Sequence, residues 1–265
     1  MQLNEIYNMD CIEGMKLLDA NSIDLTVTSP PYDNLRSYNN SSTWNFDIFK
    51  QVAEGLWRVT KQGGVVVWVV GDATIDGSET GTSFRQALYF KEIGFNLHDT
   101  MIWNKGSSPF QHKNRYIQCF EYMFIFTKSE KKIANLICDR KNIWGGTPIH
   151  GTERQNNGIT KNLSTIQKSK QVKEYGVRLN VWEIPPNKNN ETGPPAVFPE
   201  QLVADHIQSW SNEDDIILDP FMGSGTTALA CINTGRGYIG FEIDKEYYKI
   251  ATERIAEVKN QLKLF

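Results

Sequence analysis

The sequence predicts an α/β fold: a doubly wound, mostly parallel sheet with helices on both faces. Three observations predict it. Short runs are almost continuously apolar, stretches of helical periodicity alternate with them, and a glycine-bearing turn joins one such run to a helix. A run that is apolar at nearly every position suits a strand covered on both sides, as in a parallel sheet. Strands that alternate with helices then imply a doubly wound arrangement.

In chain order, Asp24–Thr28 (DLTVT) is the first predicted strand. Ile48, Phe49, Val52, Leu56 and Val59 recur at helical spacing before a break at Gly63-Gly64, and Val65–Val70 (VVVWVV) is the next strand. Ser83 is a candidate cap for a helix carrying Phe84, Leu88 and Ile93 and ending at Gly94. Tyr122–Thr127 (YMFIFT) reads as a strand. Pro199 suits the first turn of a helix with Leu202, Val203, Ile207 and Trp210. Ile216–Leu218 and Tyr238–Ile243 are the last two strands, and Tyr248, Ala251, Ile255, Val258 and Leu262 share one face of a C-terminal helix.

Residues 129–192 break the pattern. They are rich in Asn, Lys, Gly, Ser and Thr, and a structureless loop of that length is unusual inside a compact domain, so a small irregular subdomain is expected. Charge is distributed unevenly as well. The net charge is −3, yet residues 128–188 hold 12 Lys/Arg against 5 Asp/Glu, and the remainder 16 against 26. That asymmetry predicts a basic patch on an acidic body, a footprint suited to nucleic acid.

Composition excludes several classes. With 40% apolar and 22% charged residues the chain is an ordinary globular protein, and no run approaches the ~18–20 apolar residues of a membrane span. The first residues are acidic and lack a signal-peptide core, which predicts a cytoplasmic location. Cys11, Cys119, Cys138 and Cys231 are scattered, and the four histidines never reach H-x-x-x-H spacing. Neither a disulfide framework nor a metal site is expected.

The stretch DIILDPFMGSGTTALACINTGRGYIGFEID, residues 215–244, reads as strand, turn, helix and strand. Gly223 and Gly225 permit a tight turn and close approach of a ligand to the main chain. Ser224, Thr226 and Thr227 stand at the helix start, where unpaired N–H groups attract an anionic group. Glu242 follows Asp219 by 23 residues, about the offset at which an acidic side chain grips a ribose diol. The turn lacks a phosphate-loop lysine and is no G-x-G-x-x-G fingerprint, so an adenosyl ligand with an amino-acid end fits better than a triphosphate or dinucleotide.

The second informative stretch is T-S-P-P-Y at residues 28–32. Pro31 fixes φ and neither proline donates a hydrogen bond, so the loop is stiff and its carbonyls face outward. D-P-F-M-G-S-G-T-T together with T-S-P-P-Y resembles the amino-methylating DNA methyltransferases that use S-adenosyl-L-methionine (AdoMet). The catalytic loop precedes the cofactor loop, the order of that family's β group, and the resemblance covers most of the chain. It implies a Rossmann-like AdoMet-dependent methyltransferase domain over residues 1–128 and 193–265, with a target-recognition region over 129–192.

Site residues follow from the resemblance position by position. The loop Ser29, Pro30, Pro31 and Tyr32 would be catalytic. Asp10 and Cys11, in Asn8-Met9-Asp10-Cys11, look like the motif that receives the cofactor's adenine. Phe198, in Ala196–Leu202, belongs to a helix-start motif that closes over its methionine end. Asp219, Pro220, Phe221, Gly223, Ser224, Gly225, Thr226, Thr227 and Glu242 complete the cofactor set. Arg36, Lys168, Lys170 and Lys173 are candidate DNA contacts. Serine heads this loop more often in cytosine-N4 than in adenine-N6 enzymes, so N4-cytosine in duplex DNA is the favoured target, flipped out of the helix for reaction. Adenine N6 is the alternative, and a non-catalytic AdoMet-dependent DNA-binding protein is the reading from a different class. The resemblance also admits a homodimer and a cognate restriction endonuclease as partners.

Overall fold

The computed structural model describes residues 1–31, 44–106, 113–130, 134–186 and 199–262. These form two compact units, one of residues 1–135 and 180–265 and one of Leu136–Leu179.

The larger unit opens with β1 (Glu5–Tyr7), α1 (Cys11–Lys16), β2 (Ile23–Thr28), α2 (Phe46–Val59) and β3 (Thr60–Val70). A small hairpin of β4 (Thr74–Ile75) and β5 (Ser78–Glu79) leads to α3 (Thr82–Glu92), β6 (Asn96–Asn104) and β7 (Phe120–Thr127). The smaller unit holds β8 (Arg140–Lys141), β9 (Thr152–Arg154), β10 (Thr160–Asn162), α4 (Thr165–Lys168) and β11 (Tyr175–Gly176). The chain then returns to the larger unit with β12 (Val181–Glu183), α5 (Glu200–Trp210), β13 (Ile216–Asp219), α6 (Thr226–Thr234), β14 (Gly237–Phe241) and α7 (Lys245–Leu262).

Among the described residues, eight strands form the main sheet in the order β1-β14-β13-β2-β3-β7-β6-β12. All neighbours pair in parallel except that β7 runs antiparallel to β3 and β6. The sheet is therefore mostly parallel, and it is buried on both faces. Val65, Val67 and Val69 pack with residues of α5, α6 and α7. Val66, Trp68 and Val70 pack with residues of α1, α2 and α3. The pleat sends successive residues of one continuous apolar run into two separate cores.

The second core is largely aromatic. Phe90 stacks on Phe126 with ring centroids 4.5 Å apart, and Phe49 and Phe90 meet the Trp68 ring edge-on at 5.8 and 5.2 Å. Such pairs add roughly 0.5–1.5 kcal/mol each beyond the area they bury. Asn45 caps α2 by accepting from the Asp47 and Ile48 amides, each at 3.0 Å.

Several local expectations shift. Gly63-Gly64 is not the break before β3: the strand begins at Thr60, and at Gly64 the Asp24 carbonyl lies 3.0 Å from where a Cβ would stand. Ser83 lies inside α3 rather than capping it, because Gly81 takes the cap in the left-handed region (φ 65°). Phe84 and Leu88 are exposed, and α3 instead buries Ser83, Gln86, Ala87 and Phe90. The polar members of that face have partners: Trp68 donates to Gln86 Oε1 at 2.8 Å, and the Ser83 amide and hydroxyl both donate to Asp72. Pro199 is the residue before the first turn of α5 rather than within it.

Lys128, just past β7, is 5% exposed. Its Nζ donates to the Trp57 and Thr60 carbonyls at 2.6 and 2.9 Å and to Asn21 Oδ1 at 2.9 Å, and it sits 4.7 Å from the Trp57 ring centre. It thus neutralises the C-terminal carbonyls of α2. Burial holds its pKa below the usual lysine value. Lys128→Met keeps the aliphatic stem but leaves three acceptors without their donor. We expect a loss of about 2 kcal/mol and a melting midpoint lower by roughly 5 °C by calorimetry.

In the smaller unit β8 pairs with β11 and β9 with β10, all antiparallel. None of its residues is buried. Order there comes from hydrogen bonds: Arg178 pairs with Asp139, Asn142 donates to the Lys173 carbonyl at 2.8 Å, and Ser164 and Gln167 form a capping box on α4. This unit falls within residues 129–192, while β12 from the same segment joins the edge of the main sheet. No helix among the described residues is long and apolar enough to cross a membrane, and all four cysteines are free thiols.

Candidate active site

Five adjacent parallel strands, β1, β14, β13, β2 and β3, end along one edge of the sheet, where open α/β folds place their ligands. The predicted site residues lie at four of these ends. Asp10 follows β1, Ser29 follows β2, Asp219 closes β13 and Glu242 follows β14.

At the β1 end, Asp10 caps α1 by accepting from the Ile12 and Glu13 amides at 2.8 and 3.2 Å, both at Oδ1. Cys11 is buried, and burial together with the neighbouring Asp10 charge pushes its thiol up to about 12. It stays protonated at neutral pH and offers no thiolate nucleophile.

Tyr7 pairs with Phe241 across β1 and β14, and this register brings Asp10 and Glu242 onto neighbouring strand ends. Asn8 Nδ2 donates to the Glu242 carbonyl at 2.8 Å, and the Glu242 amide donates to the Tyr7 carbonyl at 3.1 Å. The Glu242 carboxylate accepts from the Gly223 amide at 2.7 Å and the Asp244 amide at 2.8 Å. Burial raises its pKa to about 6, against the lowering effect of those two amides.

The turn after β13 is built for close approach. Gly223 and Gly225 have φ of 54° and 86°, in the left-handed region that favours glycine. Among the described residues, its chain neighbours aside, a Cβ at Gly223 would meet only the Phe221 carbonyl oxygen within 4 Å, at 3.9 Å, which leaves room for a ligand against the main chain. Gly225 caps α6 without a side chain, and Thr226 Oγ1 in the first turn is buried with no hydrogen-bond partner among the described residues. An unsatisfied hydroxyl beside the first-turn amides of a helix fits an anionic group such as an amino-acid carboxylate. The residues present therefore fit the amino-acid end of AdoMet. Arg254 of α7 supports the turn from behind by donating to the Ser224 carbonyl and hydroxyl.

Thr28 Oγ1 donates to Asp219 Oδ1 at 2.7 Å, and Thr227 Oγ1 donates to Oδ2 at 2.6 Å. Burial raises the Asp219 pKa, and these donors counter it. Ser29 and Pro31 are half-buried and Pro30 is buried. Tyr32, Arg36 and Phe198 lie outside the described residues. Lys168, Lys170 and Lys173 are exposed on the smaller unit. Thr28 was within reach of the T-S-P-P-Y motif; Arg254 has no local signal, since only folding brings α7 to the turn.

Against known proteins, residues 23–253 match the model of the N6/N4 DNA methylase family. The chain belongs to that family. The methylase is 57% identical over 244 residues to the orphan methyltransferase M.BamHII of Bacillus amyloliquefaciens, covering 88% of this chain and 89% of that one. Its fold resembles the PvuII cytosine-N4-specific DNA methyltransferase (TM-score 0.69, 22% identity, 97% of this chain and 91% of that chain). It also resembles M1.HpyAVI in complex with SAM (TM-score 0.63, 24% identity, 95% and 98%). The methylase is thus a DNA amino-methyltransferase of Rossmann-like fold, with AdoMet as cofactor.

Proposed function

We propose that the methylase transfers a methyl group to the N4 amine of a flipped cytosine at a specific site in duplex DNA. One observation carries this reading: Ser29, a neutral acceptor, leaves the same sheet edge as the glycine turn and is tied to it through Thr28 and Asp219. An exocyclic amine is a poor nucleophile because its lone pair is conjugated into the ring. Bound AdoMet supplies an electrophilic methyl group on a sulfonium. The Ser29 hydroxyl and the Pro30 carbonyl accept hydrogen bonds from the amine, which favours a pyramidal nitrogen with its lone pair directed out of the ring plane. Tyr32 is assigned the aromatic face on which the base rests. No general base is required, because the nitrogen becomes acidic once methylated and releases its proton to solvent. Asp10 and Cys11 are assigned to the adenine, Glu242 to the ribose, and Pro220, Phe221, Gly223–Thr227 and Phe198 to the methionine end.

The smaller unit is assigned to target recognition within residues 129–192. It carries eight Lys/Arg against three Asp/Glu over residues 136–179. Lys168, Lys170 and Lys173 replaced together by glutamine should flatten the slope of log affinity against log salt by up to about 2–3. An unchanged slope would move the DNA-binding face elsewhere. Restriction-modification is the expected setting, whether as a lone methylase or beside an endonuclease.

The deciding experiment digests DNA methylated by the purified protein to nucleosides and identifies the product by mass. N4-methylcytosine is expected. N6-methyladenine without N4-methylcytosine would reassign the target to adenine.

A further inference from the structure

Three protein donors converge on the Asp219 carboxylate, each from a different part of the site. Thr28 Oγ1 and the Phe221 amide donate to Oδ1 at 2.7 and 3.0 Å, and Thr227 Oγ1 donates to Oδ2 at 2.6 Å. Thr28 immediately precedes Ser29, Phe221 opens the glycine turn, and Thr227 lies in the first turn of α6. Asp219 is 1% exposed, and Thr28 and Thr227 are buried with it. A carboxylate so enclosed acts on a ligand through the groups it holds rather than by touching it.

The strand ladder shows why this matters. Between β2 and β13 the paired residues are Ile217↔Leu25 and Leu218↔Thr26, and pairing stops there. The Thr28–Asp219 bond continues the connection beyond the ladder, to the last residue before the catalytic loop.

We infer that Asp219 is a positioning residue rather than a cofactor ligand: through Thr28 it fixes the start of the Ser29–Tyr32 loop relative to the glycine turn. The amine acceptors and the methyl donor are thereby held in one frame. This rests on the assignment of Ser29 as an acceptor for the target amine. In-line displacement tolerates little misalignment, and a displacement of ~1 Å can cost on the order of 100-fold in rate.

Thr28→Val keeps the shape of the side chain and removes its donor. With DNA and AdoMet saturating, its single-turnover rate should fall by about 10- to 100-fold, while the AdoMet Kd stays within about threefold of wild type. Thr28→Ser retains the hydroxyl and should recover a rate within about threefold of wild type, a rescue that mere packing would not produce. Should Thr28→Val fail to fold, Thr28→Ala against Thr28→Ser carries the same comparison. Ser29→Ala measured alongside separates the two assignments. A wild-type rate in Ser29→Ala removes the reading of Ser29, and the inference with it. A slow Ser29→Ala beside a wild-type rate in Thr28→Val removes only the role of Asp219. A Thr28→Val loss matched by an equal rise in AdoMet Kd, with no rescue by serine, also overturns it.

Discussion

Replacing Ser29 by alanine is expected to slow single-turnover methyl transfer by roughly 100-fold, with AdoMet affinity within about threefold of wild type. In the proposed geometry the serine hydroxyl acts on the target amine and not on the cofactor, so its removal leaves the cofactor contacts of the glycine turn intact. Its effect belongs to the transition state, where the nitrogen becomes pyramidal and the hydrogen bonds its N–H groups donate strengthen as positive charge develops. Some activity should remain, because the Pro30 carbonyl still accepts from the amine. Rapid-quench measurement with tritiated AdoMet and saturating duplex DNA checks the rate. Equilibrium binding checks the affinity. An unchanged rate would assign the amine acceptor to another residue.

Glu242 is expected to govern cofactor binding and its pH dependence. In Glu242→Gln one carboxylate oxygen becomes an amide that cannot accept, so either the Gly223 or the Asp244 amide loses its partner. The turn and the ribose contact should weaken together, raising the AdoMet Kd by about 30-fold, or roughly 2 kcal/mol. The pKa of about 6 adds a second signature. In the proposed site the ribose hydroxyls donate to the ionised carboxylate, so cofactor binding is expected to favour the charged form. As pH falls below about 6, the AdoMet Kd of wild type should rise by up to about tenfold per unit, and above about pH 7 this effect should level off. Glu242→Gln should lack that slope.

Stability moves the opposite way. A folded-state pKa raised from 4.5 to about 6 means that the folded protein holds this proton more tightly. The group's contribution to stability is full below the unfolded value and is lost as pH rises through about 6. Between those limits cofactor-free protein gains stability from Glu242 on acidification while cofactor affinity falls. Isothermal titration across pH 5–8 tests the binding half, and thermal unfolding of cofactor-free protein tests the other.

Much of the fold could be read along the chain. The run VVVWVV marks a strand buried on both faces, and β3 divides those residues between two cores as the pleat requires. β6 was harder to see, because NLHDTMIWN mixes polar and apolar residues and its side chains are largely half-buried or exposed. β12 contributes three residues at the sheet edge, too few for periodicity to register. In α3 the large apolar residues Phe84 and Leu88 suggested a buried face, but hydrogen bonds to Trp68 and Asp72 turn Gln86 and Ser83 inward instead. Hydrophobicity ranks single residues; a polar side chain is buried when another element brings it a partner.

For the site, the sequence by itself determined the chemistry on offer. It supplied the stiff S-P-P-Y loop, the glycine turn at the start of a helix, and the acidic residues that follow the strands, because turn and cap preferences act over a few neighbouring residues. Only the tertiary structure decided how those parts are joined. Thr28 and Asp219 are 191 positions apart, and Arg254 reaches Ser224 across 30. The burial that raises Glu242, and the enclosure of Asp219 by three donors, depend on which strand lies beside which. Strand order is settled by the packing of two whole cores against one sheet, and no local stretch of residues encodes it.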